Sequence, residues 1–254
     1  MTTPRLVAFD LDDTLAPSKT AIEPRMAELL LELAARVEVA IISGGQLLQF
    51  QAQVVDRLPE TDAQTLARFH LMPTCGTQYY RLSDAGVETV YAHALTDDEK
   101  QRALTAVEEE ARRLGLWETE TWGEILEDRG SQITFSALGQ SAPVDAKSAW
   151  DPSGSKKNAL RDAVAARIPD LEVRSGGSTS VDITRRGIDK AYGMARLAEQ
   201  TGIPLDDMLF VGDRLDEHGN DYPVLAMGVT CHAVTGWEDT ADYLTALIPT
   251  LPRR

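Results

Sequence analysis

The chain has 254 residues, and 25 Lys plus Arg against 40 Asp plus Glu leave a formal net charge of −15. A hydrophobic content of 43% suffices for a substantial core, which excludes disorder as the general state. The acidic balance argues against duplex nucleic acid or an anionic membrane surface as main partner, since both reward Lys and Arg patches, but a divalent cation could still recruit an anionic substrate.

Leu6-Val7-Ala8-Phe9 is a short apolar run ended by acids, which predicts a buried parallel strand. Met26, Leu29, Leu30 and Leu33 recur at helical spacing and predict a helix over Glu23 to Arg36. Val37 to Ile42 reads as a second buried strand, ended by Ser43-Gly44-Gly45, and Gln46 to Leu58 as a helix. Strand-helix-strand-helix implies right-handed crossovers and a parallel sheet. The middle of the chain changes character. Tyr79 to Tyr91 reads as a hairpin turning at Ser83-Asp84-Ala85-Gly86. Thr96 to Leu114 opens on an N-cap Thr, carries an acid at the third helical position and ends at Gly115. Strands at Thr121 to Glu127 and Ser131 to Leu138, a helix over Ser155 to Ile168, and strands at Val173 and Ser178 to Thr184 complete an α+β module. The α/β pattern then returns: a helix over Asp189 to Thr201, a strand over Met208 to Val211 ended by Gly212-Asp213, a short helix over Tyr222 to Met227, a strand over Val229 to Val234 and a last helix over Asp239 to Leu247. The fold class is therefore α/β, with a Rossmann-like parallel-sheet core over 1–82 and 187–254 and an inserted α+β domain over 83–186. Pro252-Arg253-Arg254 reads as a frayed tail.

Asp10-Leu11-Asp12-Asp13-Thr14 follows directly on the first strand, and ligands of open parallel sheets sit at strand carboxyl ends. Two close carboxylates repel, so such a pair persists most easily around a cation or with divided roles. On these residues alone, turn and helix-cap chemistry explains the stretch equally well. Other strand ends change the balance. Ser43 and the backbone N–H groups after it form a potential anion site at a helix start, although Ser is also a common N-cap. Lys190 opens a helix, where its charge opposes the dipole, so a charge partner is expected. Asp213 closes a later strand, with Asp216, Asn220 and Asp221 just beyond, a set of hard oxygen donors suited to Mg²⁺.

In this order, the four segments resemble the motifs of the haloacid dehalogenase superfamily of phosphotransferases. The insert lies between the second and third, as in the subfamily with a large α+β cap. The resemblance implies a phosphorylated small-molecule substrate and a Mg²⁺ cofactor. Asp10 would be the nucleophile that forms an aspartyl-phosphate, and Asp12 the general acid and base. Mg²⁺ would be held by Asp10, the backbone carbonyl of Asp12, and Asp213. Ser43, Gly44 and Lys190 would hold phosphoryl oxygens. Asp221 would orient Lys190 or a metal-bound water, and Asp13 would be structural.

The insert is more particularly similar to the eukaryotic-type phosphomannomutases, through Gly176-Gly177-Ser178-Thr179-Ser180-Val181-Asp182 and Arg186-Gly187-Ile188-Asp189-Lys190. Asp128-Arg129-Gly130 and Phe135-Ser136-Ala137-Leu138-Gly139 add to that match, which implies that Arg129, Ser180 and Asp182 contact the sugar phosphate. Gln140 and Lys147 stand where those mutases carry further arginines, and Cys75-Gly76-Thr77 where relatives have Asn-Gly. A weaker grip on a second phosphate lets water take the aspartyl-phosphate, so the sequence favours a sugar-phosphate phosphatase, with a mutase as the alternative. A non-catalytic phospho-ligand binder on the same fold is a third reading, opposed by the retained Asp10.

Remaining features add little. Cys75 and Cys231 form neither a disulfide framework nor a zinc cluster and read as small buried hydrophobes. The four histidines show no metal-ligand spacing, and the four tryptophans read as packing residues. Met1 to Arg5 lack a signal pattern, and no apolar run approaches a membrane span, which predicts a cytoplasmic protein with no membrane partner. The residues leave the oligomeric state open.

Overall fold

The computed structural model describes residues 3–253, so Met1, Thr2 and Arg254 of the expected termini lie outside the described residues. It divides into two compact units, one running to Ala92 and resuming at Asp189, the other spanning His93–Ile188.

The first unit is built on a seven-stranded sheet. Its strands are β1 (Leu6–Phe9), β2 (Glu38–Ile42), β3 (Phe69–Met72), β4 (Gln78–Ser83) and β5 (Gly86–Ala92). The second unit contributes β6 (Leu126–Asp128), β7 (Gln132–Ser136), β8 (Leu171–Ser175) and β9 (Ser180–Arg185), and the first unit resumes with β10 (Met208–Gly212) and β11 (Thr230–Ala233). The large sheet has the order β11-β10-β1-β2-β3-β4-β5. Pairing is parallel from β11 through β3 and antiparallel for β4 and β5.

Alternation along the strands creates two cores. Val7, Phe9, Val39 and Ile41 point to one face, where Met26, Leu30 and Leu33 of the helix Pro24–Ala34 cover them. Leu6, Ala8, Ala40 and Ile42 point to the other, against Met194 and Leu197 of the helix Lys190–Thr201. Full burial of each large apolar side chain stabilises by about 1.5–3 kcal/mol. Leu30→Ala would lose that burial and leave a cavity, at a cost of roughly 2–5 kcal/mol.

Three features depart from the sequence pattern. The hairpin Gln78 to Ala92 is part of the large sheet, so residues 83–92 belong to the core and not to the insert. Leu71 pairs with Tyr80 across β3 and β4, and that register carries the hairpin along. β3 itself is not legible as a strand, because His70 interrupts its apolar run. In the structure His70 is buried between Glu38 (3.1 Å) and the Tyr79 hydroxyl (2.7 Å), so a polar residue occupies an interior position. Finally, only Leu126–Asp128 of the expected strand Thr121 to Glu127 is extended in the sheet.

The second unit packs the helices Asp97–Arg113 and Ser155–Arg167 on one face of a four-stranded antiparallel sheet of order β6-β7-β9-β8. Ile133, Phe135, Val181 and Ile183 face those helices. Gln132, Thr134, Ser136, Ser180 and Asp182 alternate onto the other face. Thr96 caps the first helix in a reciprocal box with Glu99, as its spacing predicts. Among the described residues no helix is long and apolar enough to cross a membrane.

Candidate active site

β1 ends at Phe9, and the Asp10 N–H donates to Val211 O of β10 at 3.0 Å. Phe9 lies in register with Val211 on one side and Ile41 on the other, so Asp10 sits at the carboxyl edge of the central strand. Its side chain is 6% exposed, and Lys190 Nζ stands 2.7 Å from its Oδ1.

Lys190 is the first residue of a helix whose N-cap, Asp189, accepts the Tyr192 N–H. Its side chain is 1% exposed and also reaches Asp221 Oδ1 at 2.5 Å. The other Asp221 oxygen accepts the Arg214 N–H at 3.0 Å. Gly212 lies against that same oxygen, and a side chain there would collide with it. The charge partner expected for Lys190 is thus a pair of buried carboxylates. A buried ammonium is tolerable only with such partners.

The electrostatics follow from the geometry. Burial pushes the Asp10 carboxyl up to about 7, with Lys190 limiting the rise. Burial would pull the Lys190 ammonium down, but Asp10 and Asp221 outweigh it and hold it above its ordinary value. Asp213 is raised by burial and by Asp221, against the Thr14 hydroxyl, which donates to its Oδ1 at 3.1 Å.

Asp10, Asp213 and Asp221 each present one carboxylate oxygen within 4.8 Å of the others. All three donors are hard oxygens, which fits Mg²⁺ or a similar cation. Asp221 has both oxygens engaged by Lys190 and Arg214, so it supports Lys190, and Asp10 and Asp213 are the better placed to hold a cation.

The Asp12 side chain turns elsewhere. Lys19 Nζ lies 2.8 Å from Asp12 Oδ2, and the Lys19 N–H donates to Oδ1 at 2.8 Å. Gln49 and Gln53 donate to the same carboxylate at 3.1 and 3.4 Å. Burial would raise Asp12, but Lys19 outweighs it and holds the carboxyl below its usual range. Lys19, Gln49 and Gln53 are absent from the sequence-based set. They stand at no strand end, and the only local signal is polar spacing on the helix Leu47–Gln53.

Ser43 follows β2, is 5% exposed and accepts the Gly45 N–H on its hydroxyl at 3.2 Å. Beside Gly44 there is open space where a side chain would stand, so an anion could approach the backbone there. On the insert, Asp182 accepts from Gln132 (2.9 Å) and Thr134 (2.8 Å). Ser180 lies 3.3 Å from the Ser136 hydroxyl, which accepts from Gln140 at 2.7 Å. Arg129 pairs with Glu127 at 2.6 Å. Lys147 Nζ donates to the Gln140 carbonyl at 2.7 Å. Ser180 and Asp182 therefore share one polar sheet face, while the Arg129 guanidinium is paired with an acid of its own unit.

One other expectation is corrected. Cys75 and Cys231 are half-buried rather than core residues. At the helix start Ser155, Asp151 accepts the Lys156 and Lys157 N–H groups at 3.2 and 3.0 Å.

Comparison with known proteins points to one family. The family described as eukaryotic phosphomannomutase matches residues 26–250. A probable phosphomannomutase of Caenorhabditis elegans is 25% identical, over 97% of this chain and 96% of its own length. The phosphomannomutase of Schizosaccharomyces pombe is 26% identical, over 92% and 91%. Among solved structures, a haloacid dehalogenase-like hydrolase from Bacteroides thetaiotaomicron superposes with a TM-score of 0.65 at 14% identity, covering 96% of this chain and all 100% of that one. ATP-bound IMP-nucleotidase from Plasmodium falciparum gives 0.74 at 14% identity, over 97% of this chain and 60% of that chain.

Proposed function

The chain belongs to the eukaryotic phosphomannomutase family of the haloacid dehalogenase superfamily, and from that premise we propose that it transfers phosphoryl groups on a hexose phosphate in the manner of a phosphomannomutase. The observation that carries the reading is the buried Asp10–Lys190 pair beside Asp213 and Asp221, in a chain that matches its mutase relatives almost end to end.

In the proposed reaction an Asp10 oxygen bonds to phosphorus as the bond from phosphorus to the sugar oxygen breaks, giving an aspartyl-phosphate. Lys190, the Ser43 hydroxyl and the Gly44 N–H hold the phosphoryl oxygens, and Lys190 neutralises their charge. Asp12, ionised beside Lys19, takes the proton from the hydroxyl that attacks the aspartyl-phosphate as its bond to Asp10 breaks, and returns that proton to the departing sugar oxygen in the step that forms the aspartyl-phosphate again. Mg²⁺ bound by Asp10, Asp213 and the Asp12 carbonyl would shield the nucleophile from the phosphate's charge. On the insert, Arg129, Ser180 and Asp182 contact the sugar phosphate.

Hydrolysis is the second reading, and Gln140 favours it. Its neutral amide is bonded to Ser136, and Lys147 is spent on its carbonyl, so this corner offers no bidentate fork to a second phosphate. Mannose 1-phosphate assayed with Mg²⁺, with and without a hexose 1,6-bisphosphate, separates the two. Activator-dependent mannose 6-phosphate supports the mutase; inorganic phosphate alone supports the phosphatase. Asp10→Asn must abolish either product, and persistent turnover would refute the mechanism.

A further inference from the structure

Between β3 and β4 the chain passes through three consecutive left-handed residues: Thr74 (φ 48°), Cys75 (φ 54°) and Gly76 (φ 83°). Only glycine adopts this conformation without steric cost, and a β-branched Thr is among the least suited. Among the described residues the other non-glycine cases are Asp13 and Lys19, both in the loop that follows Asp10. Such strain persists only where the surroundings over-determine it.

Here the surroundings act from two sides. On one, the Thr74 N–H donates to Gly45 O and the Cys75 N–H to Ser43 O, both at 2.9 Å. On the other, the turn meets the helix Lys190–Thr201 backbone to backbone. A Cβ on Gly76 would lie 2.6 Å from Gly193 Cα, and a Cβ on Gly193 would lie 3.0 Å from Cys75 O. Gly193 is one turn beyond Lys190, its N–H bonded to Asp189 O at 3.2 Å. The turn is also closed on itself: the Thr77 hydroxyl donates to Thr74 O (2.9 Å) and the Tyr91 hydroxyl to Gly76 O (2.8 Å).

We propose that Thr74-Cys75-Gly76 is a positioning segment that fixes the Ser43 loop and the Lys190 helix at the separation a phosphoryl group needs. The inference rests on the reading of Ser43 and Lys190 as phosphoryl-holding groups. A turn relaxed to negative φ re-aims the two N–H groups away from Ser43 and Gly45 and withdraws the carbonyl that abuts Gly193. The side chains of the segment take no part in the chemistry; its backbone shape does the positioning.

The test is calorimetric binding of inorganic phosphate to the full chain in saturating Mg²⁺. Cys75→Asn, a residue that tolerates the left-handed region, keeps the affinity within about twofold. Cys75→Val, which resists it, weakens phosphate about tenfold while circular dichroism and the melting transition still report a folded chain. Gly193→Ala supplies the second arm should Cys75→Val not fold, and it weakens phosphate by a similar factor from the helix side. Ser43→Ala separates the inference from its premise. If Ser43→Ala weakens phosphate but folded Cys75→Val and Gly193→Ala do not, the positioning role is refuted and the site reading survives. If Ser43→Ala has no effect, or the unsubstituted chain binds no phosphate, both fall.

Discussion

The Lys190 ammonium lies 2.7 Å from Asp10 Oδ1, with both side chains almost wholly out of water. Nucleophile and cation therefore form one electrostatic unit, with Asp221 as its third member. Lys190→Met keeps the length of the side chain and removes its charge, leaving two buried acids with no counter-ion. Breaking a buried pair from one side costs roughly 3–5 kcal/mol. Loss of the charge on the phosphoryl group costs about a hundredfold or more in turnover. Urea unfolding at neutral pH and steady-state kinetics measure the two losses separately. A variant with full stability and full turnover would show that the pair is incidental.

Asp10 also sets a dependence on pH and metal. Its folded-state value, raised by burial to about 7, lies above the ordinary 3.8. The folded chain thus holds this proton more tightly than the unfolded one. The stability it contributes is fully present below 3.8 and is lost as pH rises through about 7. A cation bound by Asp10 runs the other way, because it must displace the proton below 7 and need not above it. Apparent Mg²⁺ affinity should fall about tenfold between pH 8 and pH 6. The thermal upshift given by Mg²⁺ should shrink with it, and Asp10→Asn should flatten the profile. Equal upshifts at both pH values would remove Asp10 from the metal site.

Much of this site is legible in the sequence because strand ends are. Asp10, Ser43 and Asp213 each follow a short apolar run, and the parallel register brings those ends to one edge of the sheet. Charge and spacing give the partner of Lys190 only as a need; the superfamily resemblance names Asp221, while the register says nothing of how it folds back under the helix. β3 is hidden by His70, whose partners Glu38 and Tyr79 come from the neighbouring strands β2 and β4. Lys19 is hidden for another reason. A lysine in a loop after an acidic turn has no period, and only the left-handed backbone at that position (φ 62°) turns it back onto Asp12.

The insert has its own acid-sensitive element. The Arg185 hydrogen bond and the Thr96 N–H hold the Glu99 carboxyl down at about 2. Its contribution to stability is present above the ordinary 4.5 and is lost as pH falls toward 2. Glu99→Gln can keep both halves of the capping box but loses the charge. It should cost about 1 kcal/mol at pH 7 and less than half of that at pH 3. Equal losses at pH 7 and pH 3 would make shape, not charge, the origin of the effect.

Gln140 tests the choice between mutase and phosphatase from the insert side. Its amide nitrogen sits 2.7 Å from the Ser136 hydroxyl, which in turn lies 3.3 Å from Ser180 on the polar sheet face. An amide there can donate one or two neutral hydrogen bonds. A guanidinium would bring a fixed charge and a bidentate fork to the same place. Retention of a bisphosphate through its reorientation is what distinguishes isomerisation from loss to water. Gln140→Arg should therefore tighten hexose 1,6-bisphosphate by about 1.5–3 kcal/mol, the range of a charge-assisted hydrogen bond. It should also raise the ratio of mannose 6-phosphate to inorganic phosphate at least fivefold. Simultaneous product assays measure that ratio directly. A tighter bisphosphate with an unchanged ratio would mean that water reaches the aspartyl-phosphate regardless of grip, and the fate of the intermediate would then rest with the core residues around Asp12.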